Sequence, residues 1–406
     1  NKKLKNPNIY PYSVFKDKYI EPFSFAPITI FYGNNGCGKS TLLDLFEEYL
    51  LNNGIKKENI IHMNFEDLLY DEIKDYKDLN KYIKEKILDN DKKYIILDEI
   101  QQISNWEKAI NSFLITLNCD IYITGSNAYL LSSEISTLLS GRYVEIKMLP
   151  LSFKEYLEFN NYNTKENLEE HFNDYLLYGG LPIVSYVHDK SAIRNILSGI
   201  FNTVIIKDVS KRNAIRDITL LENLIRYIAQ NVGSPISSRN ISNYLNSAGR
   251  KTSTETIDNY LKMLENAFII YKANRFDIKG KMYLKTLEKY YIVDTGIRNE
   301  LLSFKDGDYG HMLENLIYIE LLRRGYDVAV GKIDNLEVDF VAQNYDEKIY
   351  YQVSASILDE NTKKRKLNPF DHIPDHYEKV ILTMDKTPIK DFNGIKNINI
   401  IDFLLQ

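Results

Sequence analysis

Residues 31–46 read FYGNNGCGKSTLLDLF, so that three glycines and a lysine stand between an apolar run and a helical pattern. The stretch fits G-x-x-x-x-G-K-[ST], with Gly33, Gly38, Lys39 and Ser40 at the fixed positions. In this pattern, backbone N–H groups and a helix N-terminus converge on phosphate oxygens. The sequence therefore predicts a phosphate-binding loop.

Both flanks of this loop have the pattern that it requires. Residues 27–33, PITIFYG, are rich in β-branched and aromatic side chains and predict a strand. Residues 39–53, KSTLLDLFEEYLLNN, carry apolar side chains at helical spacing and predict a helix that ends at Gly54. We expect Lys39 to reach the β- and γ-phosphates of ATP, and Ser40 to hold Mg²⁺. The predicted nucleotide-binding residues are Gly33, Asn34, Asn35, Gly36, Cys37, Gly38, Lys39, Ser40 and Thr41.

A second apolar strand ends in two carboxylates. In residues 92–103, KKYIILDEIQQI, Asp98 and Glu99 follow the predicted strand 94–97 directly. A nucleotide hydrolase needs one acid for the metal and one for the attacking water. We expect Asp98 to be the metal partner and Glu99 the general base. The alternative is a core strand that ends in two solvated acids.

A third strand pattern, residues 119–131 (CDIYITGSNAYLL), ends in a polar Thr-Gly-Ser-Asn segment. A polar side chain at this place can sense the γ-phosphate, and Ser126 is the candidate. The same four residue types also form ordinary turns. A turn without a catalytic role is therefore the alternative.

Composition and charge narrow the class of protein. A chain of 406 residues has room for about two to four domains. No apolar run reaches the length of a membrane span, so we expect no membrane partner. The two cysteines, Cys37 and Cys119, form no disulfide framework, which is typical of a reducing cytoplasm. The net charge of −5 argues against nucleic-acid binding over the whole surface but allows a local basic patch.

Residues 1–150 alternate strand and helix patterns. This alternation predicts a parallel sheet covered by helices. The strand at 60–65 lies between the loop strand and the Asp98 strand, as in the additional-strand class of nucleotide hydrolases that includes AAA+ and ABC proteins. Residues 151–217 are mainly helical, with a turn signal at YGGLP, and predict a helical lid or linker. The five predicted strands of the core are 28–32, 60–65, 94–97, 121–124 and 143–148.

Residues 218–290 have the element order of a winged helix: helices, a turn at Gly249, a further helix and a strand. Between Arg239 and Lys289, ten lysines and arginines stand against five acids, so this segment is net positive by five. DNA contact is one interpretation, and packing or protein contact is the alternative. The residues expected to begin the recognition helix are Arg250, Lys251, Ser253, Thr254 and Thr256.

The segment 291–406 predicts a helix followed by three strands. By strand alternation Asp339, Gln352 and Ser354 share a polar face, with Glu314 of the helix near them. This layout resembles that of PD-(D/E)xK nucleases, in which acids bind Mg²⁺ and a lysine activates water. Ser354 occupies the lysine position, so we expect a nuclease-like fold, with a degenerate site at Glu314, Asp339 and Gln352, and no robust nuclease activity. A lysine of the next element could take its place: Lys363, Lys364 or Lys366.

Several longer stretches resemble one family. They are IIHMNFED (60–67), YIILDEIQQISNWEKAI (94–110), the segment 120–157, YGGLP, KYYIVDTGIRN (289–299) and LEVDFVA. From about Asn52 onward they are similar to predicted AAA+-type ATPases of bacteria and archaea with a C-terminal PD-(D/E)xK-like domain of unknown function. The resemblance implies the roles given above for Asp98, Glu99 and Ser126. It makes Arg142 of LSGRY a candidate for γ-phosphate contact, within one subunit or across an interface. The first fifty residues resemble ABC or chromosome-maintenance ATPases instead.

The predicted fold class is α/β. It comprises a P-loop ATPase core (1–150), a helical lid (151–217), a winged-helix-like domain (218–290) and a PD-(D/E)xK nuclease-like domain (291–406). The predicted function is that of a cytoplasmic, Mg²⁺-dependent ATPase acting as a nucleotide-driven switch, slow unless a protein partner or a second copy completes the site. The alternatives are a nucleotide-gated DNA-binding or defence regulator, and a Mg²⁺-dependent nuclease.

Overall fold

The strands lie in two separate sheets, one of five strands and one of eight. The computed structural model describes residues 27–126, 139, 142–163, 166–185, 187, 189–203, 209–210, 215, 217–303, 309–386 and 390–406. Within them, one compact unit ends at Leu149 and includes Asn266–Phe268, and a second unit contains the remainder.

The five-stranded sheet belongs to the first unit. Its strands are β1 (Ile28–Tyr32), β2 (Ile60–Asn64), β3 (Lys93–Asp98), β4 (Cys119–Gly125) and β5 (Tyr143–Lys147). They are all parallel and lie in the order β2-β3-β4-β1-β5. The parallel sheet and its five strands confirm the prediction, and the strand ends differ from the predicted ones by two residues at most.

The strand inserted between β1 and β3 is β4, and β2 lies at the edge. Along the chain, β2 lies between the loop strand β1 and the Asp98 strand β3. In the sheet, β4 occupies that place instead. Ile121 and Ile123 of β4 are fully buried, whereas His62 and Asn64 of β2 are only half-buried. A strand apolar on both faces suits the centre of a parallel sheet, and a partly polar strand suits its edge.

Helices cover both faces of this sheet. The helices α2 (Tyr76–Lys86) and α3 (Trp106–Thr116) pack on the face formed by the isoleucines of β1 and β4. The helix α1 (Lys39–Asn52) lies on the opposite face, where the ring centroid of Phe46 is 4.5 Å from that of Tyr122. Side chains alternate along a strand, so the polar residues that share the face of Tyr122 point toward α1.

Among the described residues, the second unit begins with four helices in the segment predicted as a helical lid. Three helices and a hairpin follow, and Ile236, between the first two of these helices, pairs with Glu288 of the hairpin. The first four are α4 (Phe153–Phe159), α5 (Leu168–Tyr178), α6 (Pro182–Ser185) and α7 (Lys190–Ile200). The next elements are α8 (Ile218–Gln230), α9 (Ser238–Ser247), α10 (Thr254–Asn266), β6 (Ile270–Asp277) and β7 (Met282–Ile292).

The eight-stranded sheet has the order β12-β13-β11-β10-β9-β8-β6-β7. Because β6 pairs in parallel with β8, the hairpin is part of the same sheet as the C-terminal strands, and the boundary predicted at residue 290 falls within that sheet. The remaining elements are α11 (Thr295–Leu301), α12 (Tyr309–Arg323), β8 (Asp327–Ile333), β9 (Leu336–Gln343), β10 (Lys348–Ser354), α13 (Glu360–Asp371), β11 (Glu378–Thr383), β12 (Asp391–Phe392), β13 (Ile395–Asn399) and α14 (Ile400–Leu405). Over the ranges given above, no helix combines the length and the apolar character needed to cross a membrane.

Candidate functional site

The loop after β1 depends on glycine at three places. Gly36 and Gly38 have φ angles of 83° and 92°, in the left-handed region that favours glycine. A Cβ atom on Gly33 would lie 2.1 Å from the carbonyl oxygen of Met148. The backbone therefore follows a path that residues with a side chain cannot take without displacement.

The Lys39 side chain lies within this loop and is only 4% exposed. Its Nζ donates hydrogen bonds to the carbonyl oxygens of Gly33, at 3.0 Å, and Asn34, at 2.9 Å. The same nitrogen is 3.9 Å from Sγ of Cys37. A positive charge is thus held at the centre of the loop.

The loop leads directly into the first turn of α1, where Ser40 and Thr41 are exposed. Asn34 is buried, and its Oδ1 has no hydrogen-bond partner among the residues that the structure describes. The structure brings the nine predicted nucleotide-binding residues into one loop and one helix start. The cradle that only glycine permits and the unpartnered buried oxygen fit a loop that closes around a ligand.

Asp98 ends β3 and is 1% exposed. Its Oδ1 accepts a hydrogen bond from the Thr124 hydroxyl, and its Oδ2 accepts one from Nδ2 of Asn64 at 3.1 Å. Burial raises the pKa of Asp44 on α1, and the charge of Asp98 raises it further. Asp44 lies one helical turn after Ser40, the predicted metal ligand.

Glu99 has a left-handed backbone, with φ 54°, and is 7% exposed. Its Oε2 accepts hydrogen bonds from Oγ of Ser126, at 3.2 Å, and from Nε2 of Gln101. Burial raises the pKa of the Cys37 thiol, the Lys39 charge lowers it and the Glu99 charge raises it. Lys39 and Glu99 are therefore both close enough to the loop to affect the same thiol. The left-handed backbone of Glu99 is a strained conformation of a kind that is common at functional sites.

Sequence reasoning missed three polar residues that contact the two acids of this site, and it also missed Asp44 on α1. Of these residues, only Thr124 had a visible signal in the sequence. Thr124 stands two residues after Tyr122, so alternation alone places it on the face of α1. Ser126 contacts Glu99, while its role as a γ-phosphate sensor stays a prediction. Asn127, the last residue of the predicted turn, lies outside the described residues. The missed residues are Asn64, Gln101, Thr124 and Asp44.

Arg142 lies at the other end of the sheet. It is exposed and immediately precedes β5, whose first residue, Tyr143, pairs with Ile28 at the start of β1. The loop leaves β1 after Tyr32, which is about 15 Å away at 3.3 Å per residue. The structure does not bring Arg142 to the loop of its own chain, so contact across an interface stays the prediction.

Lys147, at the far end of β5, pairs with Tyr32 at the entry to the loop. Burial lowers the pKa of this lysine to about 8. Sequence reasoning did not select it, because a lysine at a strand end is usually solvated. Its position adds a second cationic side chain near the loop.

Sequence comparison relates the chain to known proteins. Residues 26–157 match the model of a family described as AAA domain, and residues 169–308 match that of a domain of unknown function. An uncharacterized protein of Haemophilus influenzae is 44% identical over 381 residues, which cover 93% of this chain and 94% of that protein. An uncharacterized protein of Methanocaldococcus jannaschii is 32% identical over 377 residues, covering 89% and 81% respectively.

The chain belongs to the family of these two proteins. The part that matches the AAA-domain model lies mostly in its first unit. Among solved structures, the Walker-type ATPase of Pyrococcus abyssi has a TM-score of 0.48 and 17% identity, covering 68% of this chain and 91% of that chain. The ORC1 protein of Aeropyrum pernix, solved in complex with DNA, has a TM-score of 0.33 and 13% identity, covering 68% and 86%.

Beyond the AAA domain, the second unit has a cluster of buried charged residues. Nζ of Lys366 lies 2.6 Å from Oδ2 of Asp339 and 3.4 Å from Oε1 of Gln352, so two of the predicted site residues contact the same lysine. Lys366 is thus the lysine of α13 that approaches the site. Ser354 does not take part in these contacts, because its hydroxyl donates to the carbonyl oxygen of Ser356 at 2.8 Å.

A second lysine, which the sequence did not suggest, completes this cluster. Nζ of Lys289, from the hairpin strand β7, lies 3.1 Å from Oε1 of Glu314 and 2.7 Å from Oε1 of Glu337. The Tyr291 hydroxyl also donates to Glu314, at 2.8 Å. Burial opposes the ionisation of Asp339, but the two lysine charges bring its pKa below the ordinary value. In the described part of the chain, no three His, Cys, Asp or Glu side chains are placed to hold a metal ion.

Proposed function

We propose that this chain is a Mg²⁺-dependent ATPase and that ATP turnover works as a nucleotide-driven switch. The observation that carries the proposal is the hydrogen-bonded end of β3 and β4. There, Asp98 is joined to Thr124 and Glu99 to Ser126; β4 is next to the loop strand β1, and β3 lies on the other side of β4. This is the arrangement that phosphoryl transfer needs, since its catalysis is mainly positioning and charge stabilisation.

The loop supplies the phosphate contacts. Backbone N–H groups at the glycine positions and the N-terminus of α1 favour anionic oxygens. Lys39 is already held at the loop by two carbonyl oxygens, so its ammonium group is in place for a triphosphate. Bound Mg²⁺·ATP supplies the phosphoanhydride bond and the divalent charge.

Ser40 and Asp98 are the proposed metal ligands. Mg²⁺ in nucleotide sites usually takes one or two protein ligands, with phosphates and water as the others. Thr124 and Asn64 each donate a hydrogen bond to Asp98, and these bonds fix the orientation of the carboxylate. Partners of this kind orient ligands in metal sites.

Glu99 is the proposed general base. Ser126 and Gln101 hold its carboxylate in one position, so that it can accept a proton from a water molecule beside the loop. Removal of a general base usually lowers the rate about 10²- to 10⁴-fold.

The proposed switch starts from the backbone at the loop entry. Gly33, at the loop entry, lies against Met148, whose N–H also donates to the carbonyl oxygen of Tyr32 at 2.7 Å. Three residues later, the N–H of Leu151 donates to the carbonyl oxygen of Gly180, also at 2.7 Å. Residues 148–151 are the covalent link between the loop entry and Leu151.

Binding and hydrolysis of ATP by three variants test the proposal. We expect Lys39→Ala to lose ATP binding, Glu99→Gln to bind ATP and lose turnover, and Lys81→Ala, an exposed charge on α2, to match the wild type. Fluorescent-nucleotide titration measures binding, and phosphate release measures turnover. A Lys39→Ala protein that binds and hydrolyses ATP at the wild-type rate would refute the proposal.

A further inference from the structure

The turn between α9 and α10 has a fixed backbone. The side chain of Asn246 pairs with both backbone groups of Thr252, donating at 3.1 Å and accepting at 2.8 Å. The Ser242 hydroxyl donates to the same carbonyl oxygen at 3.1 Å. On the other side, the N–H of Arg250 donates to the carbonyl oxygen of Leu245 at 2.9 Å. The turn is therefore rigid before any partner arrives.

Two positively charged side chains lie on this turn. Arg250 and Lys251 are exposed, and neither forms an ion pair within the described ranges of the chain. By contrast, two lysines of the β6–β7 hairpin, Lys279 and Lys289, form ion pairs with acidic side chains. Unpaired cations on a fixed turn are available to an anionic partner without the cost of breaking an existing contact.

The start of α10 continues this polar surface. Ser253 accepts a hydrogen bond from the N–H of Thr256 at 3.1 Å and begins the helix. The buried side of α10 carries Ile257, Leu261 and Leu264. Its exposed side is polar, so it lacks the apolar centre typical of a protein interface. The exposed residues at or after the helix start are Ser253, Thr254, Glu255, Asp258, Asn259 and Lys262.

At the hairpin tip, which supplies a second contact in many winged helices, Ile278 and Lys279 are already engaged. Ile278 is 1% exposed within the core of the C-terminal sheet. Nζ of Lys279 lies 2.6 Å from Oδ2 of Asp334, and β6 pairs with β8 beside the tip. These two residues of the tip are therefore not available to a partner, whereas Lys281 is exposed.

We propose that residues 248–252 and the first turns of α10 bind the backbone of a DNA duplex, with Arg250 and Lys251 contacting phosphates and with no contribution from the hairpin tip. A duplex fits because its major groove admits one helix, while cations at the helix start meet the flanking phosphates. The charge complementarity comes from Arg250 and Lys251 themselves, which are exposed at the turn, while the acids Glu255 and Asp258 lie further along α10. The proposal does not depend on ATP hydrolysis.

Fluorescence anisotropy with a labelled 20-base-pair duplex, at several salt concentrations and with and without ATP, tests it on the full chain. We expect Arg250→Ala/Lys251→Ala to weaken binding at least tenfold at low salt. We also expect it to reduce the slope of log K against log salt by about two, since each phosphate contact contributes about 0.9. The matched control is Lys81→Ala/Lys84→Ala, which removes the same charge from the exposed side of α2 and leaves both quantities unchanged. Lys281→Ala, at the hairpin tip, should also match the wild type.

Three results would overturn the proposal. The first is no duplex binding in low salt under either nucleotide condition. The second is an equal loss in both double variants, which would show a nonspecific charge effect. The third is tighter binding to single-stranded DNA or to RNA than to the duplex, with the same dependence on Arg250 and Lys251. Circular dichroism spectra confirm that the variants are folded, and ATP binding by the Arg250→Ala/Lys251→Ala protein separates this proposal from the ATPase proposal.

Discussion

The hydroxyl group of Thr124 contacts both acids of the nucleotide site: it donates to Asp98 and accepts from the backbone N–H of Glu99 at 3.1 Å. A single side chain on β4 thus orients the proposed metal ligand and fixes the strained residue that carries the proposed base. The sheet order permits this, because β4 lies between β3 and the loop strand β1.

Replacing Thr124 by valine keeps the shape of the side chain and removes both hydrogen bonds. We expect a 10- to 100-fold loss of ATP turnover, the usual effect of removing a partner that orients a metal ligand. We also expect a loss of about 1–3 kcal/mol in the free energy of unfolding, because two buried polar groups lose their partner. Steady-state kinetics over a Mg²⁺ series measures the first effect and urea unfolding the second.

The control for this prediction is Thr124→Ser, which retains the hydroxyl and should keep most of the activity. Equal turnover in the valine and serine variants would show that the hydroxyl group does not position Asp98.

A methyl group at Gly33 should displace the loop entry. Its Cβ atom would meet the carbonyl oxygen of Met148 at 2.1 Å, so the backbone must move. We expect Gly33→Ala to weaken ATP binding about tenfold or more, measured by nucleotide titration. Gly199→Ala on α7 has open space around its Cβ position and should bind ATP normally. Normal affinity in Gly33→Ala would mean that the loop tolerates the displacement.

Stability should depend on pH through Asp294. This carboxylate is buried and accepts hydrogen bonds from the N–H groups of Gly180, at 2.7 Å, and Ile297, at 3.1 Å. Burial raises its pKa from 3.8 to about 6. The folded state therefore binds the proton more tightly than the unfolded state, so this group stabilises the fold most below pH 3.8 and loses that contribution as the pH rises through 6.

Urea unfolding at pH 5 and pH 7.5 measures this contribution. The free energy of unfolding of the wild type should fall between pH 5 and pH 7.5. We expect this fall to be smaller in Asp294→Asn. Asp189→Asn, at the exposed start of α7, should retain the wild-type pH dependence. An unchanged pH dependence in Asp294→Asn would rule out this carboxylate as its source.

Lys289 should be a large contributor to the stability of the second unit. It is 2% exposed between Glu314 and Glu337, and removal of one partner from a buried ion pair usually costs about 3–5 kcal/mol. We expect Lys289→Met to lose about this much in thermal or urea unfolding. Lys279→Met removes an exposed pair with Asp334 and should lose less than about 1 kcal/mol. Similar losses in the two variants would contradict the assignment.

We expect no robust Mg²⁺-dependent DNA cleavage from the cluster at Asp339. The sequence suggested this because Ser354 replaces the catalytic lysine. In the structure Lys366 does reach Asp339. The expectation therefore depends on a different fact: Asp339 is already paired with Lys366, and Glu314 with Lys289. A plasmid-nicking assay on wild type and Asp339→Ala checks it. Cleavage by the wild type that disappears in Asp339→Ala would show an active nuclease.

The sequence by itself determined the local elements of the AAA domain. The loop residues 33–41 and the strand before Asp98 follow from short-range rules, in which glycine conformation and apolar periodicity decide the backbone. Strand alternation also placed Asp339 and Gln352 on one face, and both contact Lys366.

Tertiary structure decided which elements became neighbours. The position of β4 between β1 and β3, the contact of Thr124 with both acids, and the separation of Arg142 from the loop are set by sheet order and strand direction. Lys289 and Lys366 reach one cluster from β7 and α13, which are far apart in the chain. Short-range patterns carry no information about such pairings, because they are selected by the packing of complete strands and helices against one another.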